Sequence, residues 1–295
     1  MLKFRKININ DKKWIKELLV KSDFMACEYS FANNMAWVRL NDSQICRYKD
    51  FYIVGAVRDG LARFSFPAGE GDYFDVINQL RAYSKSMGAT TEINYVSNNK
   101  VQLFNELFPN EFTIKKSEDS SDYIYNASDI IELKGKKYNK KRNHLAKFQQ
   151  YSWEFSPMTV KDFDECIEFS AVAYNSKNGE NSYSSVAEQY AIHTYFKYFK
   201  ELELKGGVIR VDGKIVAFTL GERLNSNTFC VHIEKANTEY LGVYVAINNE
   251  FAKYAAKDFK YINREEDLGI EGLRKSKRSY YPAFLLEKNA IKFNK

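Results

Sequence analysis

The chain has 295 residues, a formal net charge of +6, 45% hydrophobic residues and 28% charged residues. This is globular composition at a length that suits two medium domains, and 4 Pro and 14 Gly exclude a collagen-like or low-complexity architecture. Against 21 Tyr and 22 Phe stand only 3 His and 4 Cys, which narrows the chemistry. Cys27, Cys46, Cys166 and Cys230 form no CxxC pair and read as reduced, apolar residues. His144, His193 and His232 are equally dispersed, without an HExxH, GxSxG or Cys/His signature. Metal-dependent hydrolysis and Ser or Cys nucleophilic catalysis are therefore disfavoured, and no metal ligand is assigned. No secretory apolar segment follows Met1, and no stretch reaches the roughly 18 apolar residues of a membrane span. A cytoplasmic location is expected.

In chain order, Asn10 or Asp11 caps a first helix with the apolar stripe Trp14, Ile15, Leu18 and Leu19. Strands 51–57 and 61–66 flank Arg58-Asp59-Gly60, a tight-turn signal. A helix carrying Tyr73, Ile77 and Leu80 ends at Gly88, strand 90–96 follows, and a short helix stops at Pro109. Tyr123-Ile-Tyr125 reads as a strand. Residues 134–148 then contain seven Lys or Arg and no acidic residue, on a helix docked through Tyr138, Leu145 and Phe148. Capping-box patterns at Thr159–Asp162 and Ser185–Glu188 start two helices. Strands 208–211 and 215–218 flank Asp212-Gly213, and a third strand covers 228–233. Helix 241–256, strand 261–263, helix 271–280 and a last strand 283–287 complete the chain. The order is an antiparallel meander followed by crossover helices, an α+β design.

Both halves contain a strand–Asp-Gly–strand hairpin, then a helix opened by a glycine (Gly71-Asp-Tyr73, Gly242-Val-Tyr244), then a strand. This suggests duplication of one α+β unit. The expected domains are residues 1–130, a basic connecting helix at 131–151, and residues 152–295, which carry the active site.

Two segments carry candidate chemistry. At Ile233–Tyr244 a strand leads through Gly242 into a helix, whose first N–H groups are able to hold a phosphate or carboxylate; spacing alone favours the alternative, an ordinary strand–helix turn in which the glycine supplies backbone freedom. At Tyr261–Pro282 a strand delivers Arg264, Glu265, Glu266 and Asp267 to a turn bounded by Gly269 and Gly272, and the next helix presents Arg274, Lys277 and Arg278. Carboxylates facing cations at a strand end orient an attacking amine or hydroxyl and neutralise an oxyanion, or else form a structural ion-pair network. The basic stretch is either a solvated helix or a phosphate-backbone surface. His193 and His232 read as structural.

Several separated motifs resemble a known family: Asp122-Tyr-Ile-Tyr125, Leu133-Lys-Gly-Lys-Lys-Tyr138, Lys140-Lys-Arg-Asn143, Lys214–Glu222, His232-Ile-Glu-Lys235, Asn263–Lys277 and Ser279-Tyr-Tyr-Pro282. Together they resemble the DUF2156 family, which is similar to the C-terminal catalytic domain of phosphatidylglycerol lysyltransferases. The resemblance implies tandem GNAT-like (acyl-CoA N-acyltransferase-like) domains related to Fem-type transferases, each a mixed, mainly antiparallel sheet flanked by helices. It implies direct transfer of an acyl or aminoacyl group from aminoacyl-tRNA or acyl-CoA to an amine or hydroxyl, with a lipid headgroup as one acceptor class.

On this resemblance, Asp267, Glu265, Glu234, Arg274 and Lys277 are the catalytic candidates, with Asp267 the first choice as proton acceptor and Glu234 the second. Lys235, Gly242, Tyr244, Asn248, Lys141 and Arg142 face the donor; Asn263, Arg264 and Tyr280 face the acceptor. The co-substrate is not tightly bound, and the implied partners are tRNA or CoA, with peripheral membrane contact. A CoA-dependent N-acetyltransferase and a noncatalytic RNA-binding protein are the competing readings.

Overall fold

The computed structural model describes residues 2–38, 42–116, 118–175 and 183–294. In chain order the elements are α1 (Lys12–Ser22), α2 (Phe31–Ala36), β1 (Gln44–Tyr48), β2 (Phe51–Arg58), β3 (Leu61–Ser65), β4 (Ala68–Gly69), α3 (Tyr73–Ser86), β5 (Thr90–Val96), α4 (Asn98–Leu107) and β6 (Phe112–Lys116). There follow β7 (Asp122–Asn126), α5 (Ala127–Glu132), α6 (Asn139–Phe148), β8 (Trp153–Pro157), α7 (Phe163–Asn175), α8 (Tyr183–Lys197), β9 (Lys205–Val211), β10 (Lys214–Arg223) and β11 (Thr228–Ala236). The chain ends with α9 (Val243–Ala255), β12 (Tyr261–Asn263), α10 (Glu271–Arg278), β13 (Phe284–Leu286) and β14 (Asn289–Phe293).

Local chemistry accounts for many of these boundaries. Asp11 holds the N-cap position of α1 without a side-chain cap bond, while Asn8 and Asp11 form a capping box on the 3-10 turn that runs into it. Asp11 instead turns its carboxylate to Arg5 and to the Trp14 indole N–H. The Asp72 side chain caps α3, which buries Val76, Ile77, Leu80 and Ser84 along one stripe. Thr159 and Asp162 form the expected capping box; the start read at Ser185 lies outside the residues whose side chains are described. Asp59 and Gly60 have φ of +53° and +69°, and Asp212 and Gly213 of +50° and +79°. Both hairpins therefore turn with two left-handed central residues, which Asp-Gly tolerates and which matches the strands' own twist.

The chain divides into two compact units, Met1–Asp122 with Glu266–Gly269 and Leu285–Lys295, and Tyr123–Glu265 with Ile270–Phe284. The first sheet has the order β1–β2–β3–β5–β14–β6, with β4 beside β2; the second has β13–β7–β12–β11–β10–β9–β8. In each, three antiparallel strands (β1, β2, β3; β9, β10, β11) lead through one helix (α3; α9) to a strand parallel to the third (β5 on β3; β12 on β11). One plan is thus used twice. These are tandem GNAT-like units, each a mixed and mainly antiparallel sheet with flanking helices.

The last strand is the main departure from the sequence expectation. The strand read at 283–287 is the three-residue β13, and beyond it β14 pairs antiparallel with both β5 and β6. Its residues alternate inward and outward, with Ile291 and Phe293 buried beside Phe64, Phe104 and Phe108 in an aromatic core. A buried ion cluster explains why four residues of a distant segment belong to this unit. The Lys288 ammonium lies 2.7 Å from both Asp122 Oδ1 and Glu28 Oε1, and 3.7 Å from Glu266 Oε2. Cys27 Sγ donates to Glu266 Oε2 at 3.3 Å. Burial, helped by the neighbouring carboxylates, pushes the Glu28 carboxyl up to about 8, while Lys288 works the other way.

Among the described residues β14 is the strand that joins β5 to β6 in the sheet path, and the first unit depends on it. Ile291→Ala is expected to cost about 2–5 kcal/mol. Ending the chain at Lys288 should abolish the cooperative unfolding of the first unit, followed by circular dichroism in urea; retention of an unchanged transition would contradict this role.

Candidate active site

In the second unit, β11 and β12 pair in parallel over only three positions, Thr228↔Tyr261 to Cys230↔Asn263. Beyond them β11 continues along β10, while the other chain turns away. The Asn263 side chain accepts from the Glu265 N–H at 2.7 Å, and Glu265 takes φ +57°. Lys277 Nζ fixes the same turn by donating to the Arg264 and Glu265 carbonyls at 2.6 and 3.2 Å. The strands splay, and a cavity of about 580 Å³ opens between them. Ligand sites at the carboxyl ends of parallel strands follow from this geometry.

Arg264 lines the cavity and is nine-tenths buried, with a side-chain exposure of 10%. Its Nη2 meets Glu234 Oε1 at 3.0 Å, and its guanidinium lies 5.0 Å from the Tyr280 ring centroid. Nη1 is buried without a hydrogen-bond partner. Burial opposes the charge, but Glu234 more than offsets it, so the pKa is raised further and Arg264 remains a cation. The other oxygen of Glu234 accepts from Asn248 Nδ2 at 3.1 Å. Lys141 reaches in from α6, its ammonium 3.5 Å from the Tyr280 ring centroid and 2.6 Å from Ser279 Oγ. Burial, and secondarily Arg264, lower its pKa to about 8.

Below the cavity, β11 slips register by one residue, so that Leu220 pairs with Ile233 but Gly221 with Val231. His232 is the extra residue of this bulge. Gly221 permits the close approach, since a Cβ there would lie 2.1 Å from the Cys230 carbonyl oxygen. The His232 ring stacks on Tyr195 with centroids 5.5 Å apart, and places Nδ1 2.9 Å from Glu265 Oε1 and Nε2 3.5 Å from Glu222 Oε1. Burial disfavours the imidazolium, but Tyr195, Cys230 and Glu222 more than offset this, and the pKa is raised well above the usual histidine range.

Of the residues read from the sequence, Glu234, Glu265, Lys277, Lys141, Gly242, Tyr244, Arg264 and Tyr280 all line this cavity. Asn248 and Asn263 act one step back, on Glu234 and on the Glu265 N–H. Lys235 pairs with Glu188, a lining residue, at 2.6 Å. Three others lie elsewhere. Arg142 is exposed and donates to the Leu133 and Gly135 carbonyls, closing the turn before α6. Arg274 is half-buried on α10 and is not among the lining residues. Asp267 is fully buried within the first unit, where its carboxylate accepts from the Gly269 N–H at 2.9 Å. Sequence reading missed His144, Glu188 and Ser276 in the lining and did not join Cys230, His232 and Glu222 to Glu265. The two-residue spacing of Cys230 and His232 was the one local signal.

Gly242 has a packing explanation. It caps α9 at φ +92°, and a Cβ there would lie 2.0 Å from the His144 carbonyl oxygen. The helix start nevertheless faces the cavity through Leu241–Val245. The first unit has a cavity of about 650 Å³ against Lys21, Tyr73, Asn98 and Lys100, but its carboxylates, Asp23, Glu70 and Glu287, are all exposed.

The fold is that of a tandem GNAT-like protein. Over residues 21–289 the chain matches the family described as phosphatidylglycerol lysyltransferase, C-terminal, and it belongs to that family. A conserved protein of unknown function from Bacteroides thetaiotaomicron is 36% identical over the whole of both chains, with a TM-score of 0.95. L-PGS from Bacillus licheniformis has the same fold at 13% identity and a TM-score of 0.69, covering 95% of this chain and 90% of that one. An uncharacterised protein of Mycoplasmoides gallisepticum is 25% identical over 179 residues, 59% of this chain; the match spans 57% of that relative's length. Among the described residues no helix is long and apolar enough to cross a membrane.

Two outcomes test this geometry. Gly242→Ala should destabilise the second unit by well over the ~1 kcal/mol of an unstrained glycine site, as a fall in the thermal midpoint; an unchanged midpoint would show that the α6–α9 contact yields easily. Competitive acetylation read by mass spectrometry should give Lys141 a titration midpoint near pH 8. Its amine is charged below that pH and neutral above it, so a midpoint in the ordinary lysine range would refute its placement over Tyr280.

Proposed function

We propose that this chain transfers an aminoacyl group from the ester of an aminoacyl-tRNA directly to an amine or hydroxyl acceptor, with a lipid headgroup as one acceptor class. The observation that carries this reading is the cavity that collects Glu234, Arg264, Lys277 and Lys141 at the splayed ends of two parallel strands. Membership of the phosphatidylglycerol lysyltransferase family supports the same class. The exposed basic residues of α6, Lys140, Arg142, His144 and Lys147, beside Lys141 in the cavity, suit a polyanionic donor.

The residues supply positioning and charge. The acceptor N–H or O–H points at Glu234, whose carboxylate is held by Arg264 and Asn248 and takes the proton. The freed lone pair attacks the donor ester carbonyl. Negative charge then grows on the carbonyl oxygen, and the unpartnered Nη1 of Arg264 donates to it in a poorly hydrated setting. Collapse of the tetrahedral intermediate expels the ribose hydroxyl, which recovers a proton. No enzyme-bound acyl intermediate is required, and binding both substrates in one cavity supplies the proximity.

Glu234→Gln should keep its fold and lose about 10²–10⁴ in transfer rate. Arg264→Lys should lose about 10²–10³, measured with labelled lysyl-tRNA and phosphatidylglycerol vesicles or a soluble amine. Lysyl-tRNA should raise the thermal midpoint while acetyl-CoA does not. Protection by acetyl-CoA alone would move the protein to CoA-dependent N-acylation, and protection by neither would remove the cavity as a donor site.

A further inference from the structure

We propose that Cys230, His232 and Glu265 form a zinc-binding site in the floor of the cavity, with Glu222 holding the imidazole from behind. Thiolate sulfur, imidazole nitrogen and carboxylate oxygen are the ligand types zinc takes, and three protein ligands with a fourth position open is the arrangement of a reactive rather than a purely structural zinc. The three donor atoms lie within 4.8 Å of one another. His232 Nδ1 is 2.9 Å from Glu265 Oε1, and Cys230 Sγ is 3.8 Å from the same oxygen. Metal–ligand bonds of about 2.0–2.3 Å in a tetrahedron separate donor atoms by roughly 3.3–3.8 Å. The two distances to Glu265 Oε1 therefore need adjustments of about half an ångström or less.

The surroundings fit a metal as well as the ligands do. With Nδ1 on the metal, the remaining N–H of His232 is on Nε2, an atom that is buried and otherwise without a hydrogen-bond partner, and it faces Glu222 Oε1 at 3.5 Å. A carboxylate behind a ligating imidazole fixes its tautomer and raises its basicity. The ring is held by Tyr195 and by the bulge, and the Glu265 backbone by Asn263 and Lys277. Two carboxylates and a thiol surround one fully buried imidazole, so a divalent cation offsets their charge on ligation. His232 and Glu265 also line the cavity, which directs the open position toward it.

The comparable group in the first unit, Cys27, Glu28 and Asp122, is different. There the Lys288 ammonium already sits 2.7 Å from Glu28 and Asp122 and supplies the cation from the chain itself. The inference does not depend on which donor or acceptor the cavity takes.

The test uses the full chain without a histidine tag. After chelator dialysis it is titrated with Co²⁺ and with Zn²⁺. About one equivalent of cobalt should bind, with the visible bands of tetrahedral cobalt and a near-ultraviolet thiolate-to-cobalt band, and one equivalent of zinc should displace it. Cys230→Ser should remove the thiolate band, His232→Ala should weaken binding at least a hundredfold, and Glu222→Gln should weaken it about ten- to a hundredfold. Cys27→Ser should change nothing. The wild-type spectrum decides the ligand type even if a variant fails to fold. Absence of uptake, a cobalt complex without the thiolate band, or a band that survives Cys230→Ser would overturn the site.

Discussion

The site depends on one constraint: β11 and β12 stay paired for three residues and then part. A parallel pair needs a crossover connection, here α9, and the helix has to pack on the sheet it bridges. It does so through Val243, Ala246 and Ile247, which join Ile209, Val211, Val216 and Ala217 in the core. With α9 fixed there, its first turn faces the gap where the strands separate. The bulge at His232 and the turn at Asn263–Glu265 widen this gap from both sides. Without the splay, Arg264 would continue along β11 as a ladder residue instead of meeting Glu234 at the edge of a cavity.

The Arg264–Glu234 pair occupies that gap at a cost. Removing two charges from water is unfavourable, and a buried pair often contributes less stability than apolar residues of similar size. Here the geometry leaves one donor of Arg264 unsatisfied, so the pair is incompletely compensated even on its own terms. A residue chosen for packing would not be left so. In the proposed reaction this nine-tenths buried guanidinium N–H is the donor that meets the negatively charged carbonyl oxygen.

Local features were readable in the sequence because their causes are local. Asp-Gly at 59–60 and 212–213 forces left-handed turns, and the apolar stripes of α1 and α3 follow the helical period. The repeat of hairpin, crossover helix and parallel strand was legible for the same reason. The excursion of Glu266–Gly269 into the first unit was not. It follows from Lys288, whose charge requires carboxylates that come from three distant parts of the chain. This is also why Asp267, one residue beyond Glu266, follows that segment into the first unit, although Arg264 and Glu265, three and two residues earlier, line the cavity. Spacing likewise cannot reveal that Cys230 and His232 meet Glu265, since the two strands that carry them are joined only by a parallel crossover.

The two units show one plan carried out with different strand ends. In the first, β3 and β5 remain paired over five positions, from Leu61↔Thr90 to Ser65↔Asn94, where β11 and β12 manage three. Just past the pairing, Tyr95 takes φ +62°, the counterpart of Glu265 at +57°. Phe66, Tyr29 and Tyr95 line a small void of about 40 Å³, beside the wider cavity at the start of α3. Lys288 supplies internally the positive charge that the second unit presents to its cavity through Arg264. Part of the excess of Phe and Tyr over His and Cys is packed in the aromatic core of the first unit.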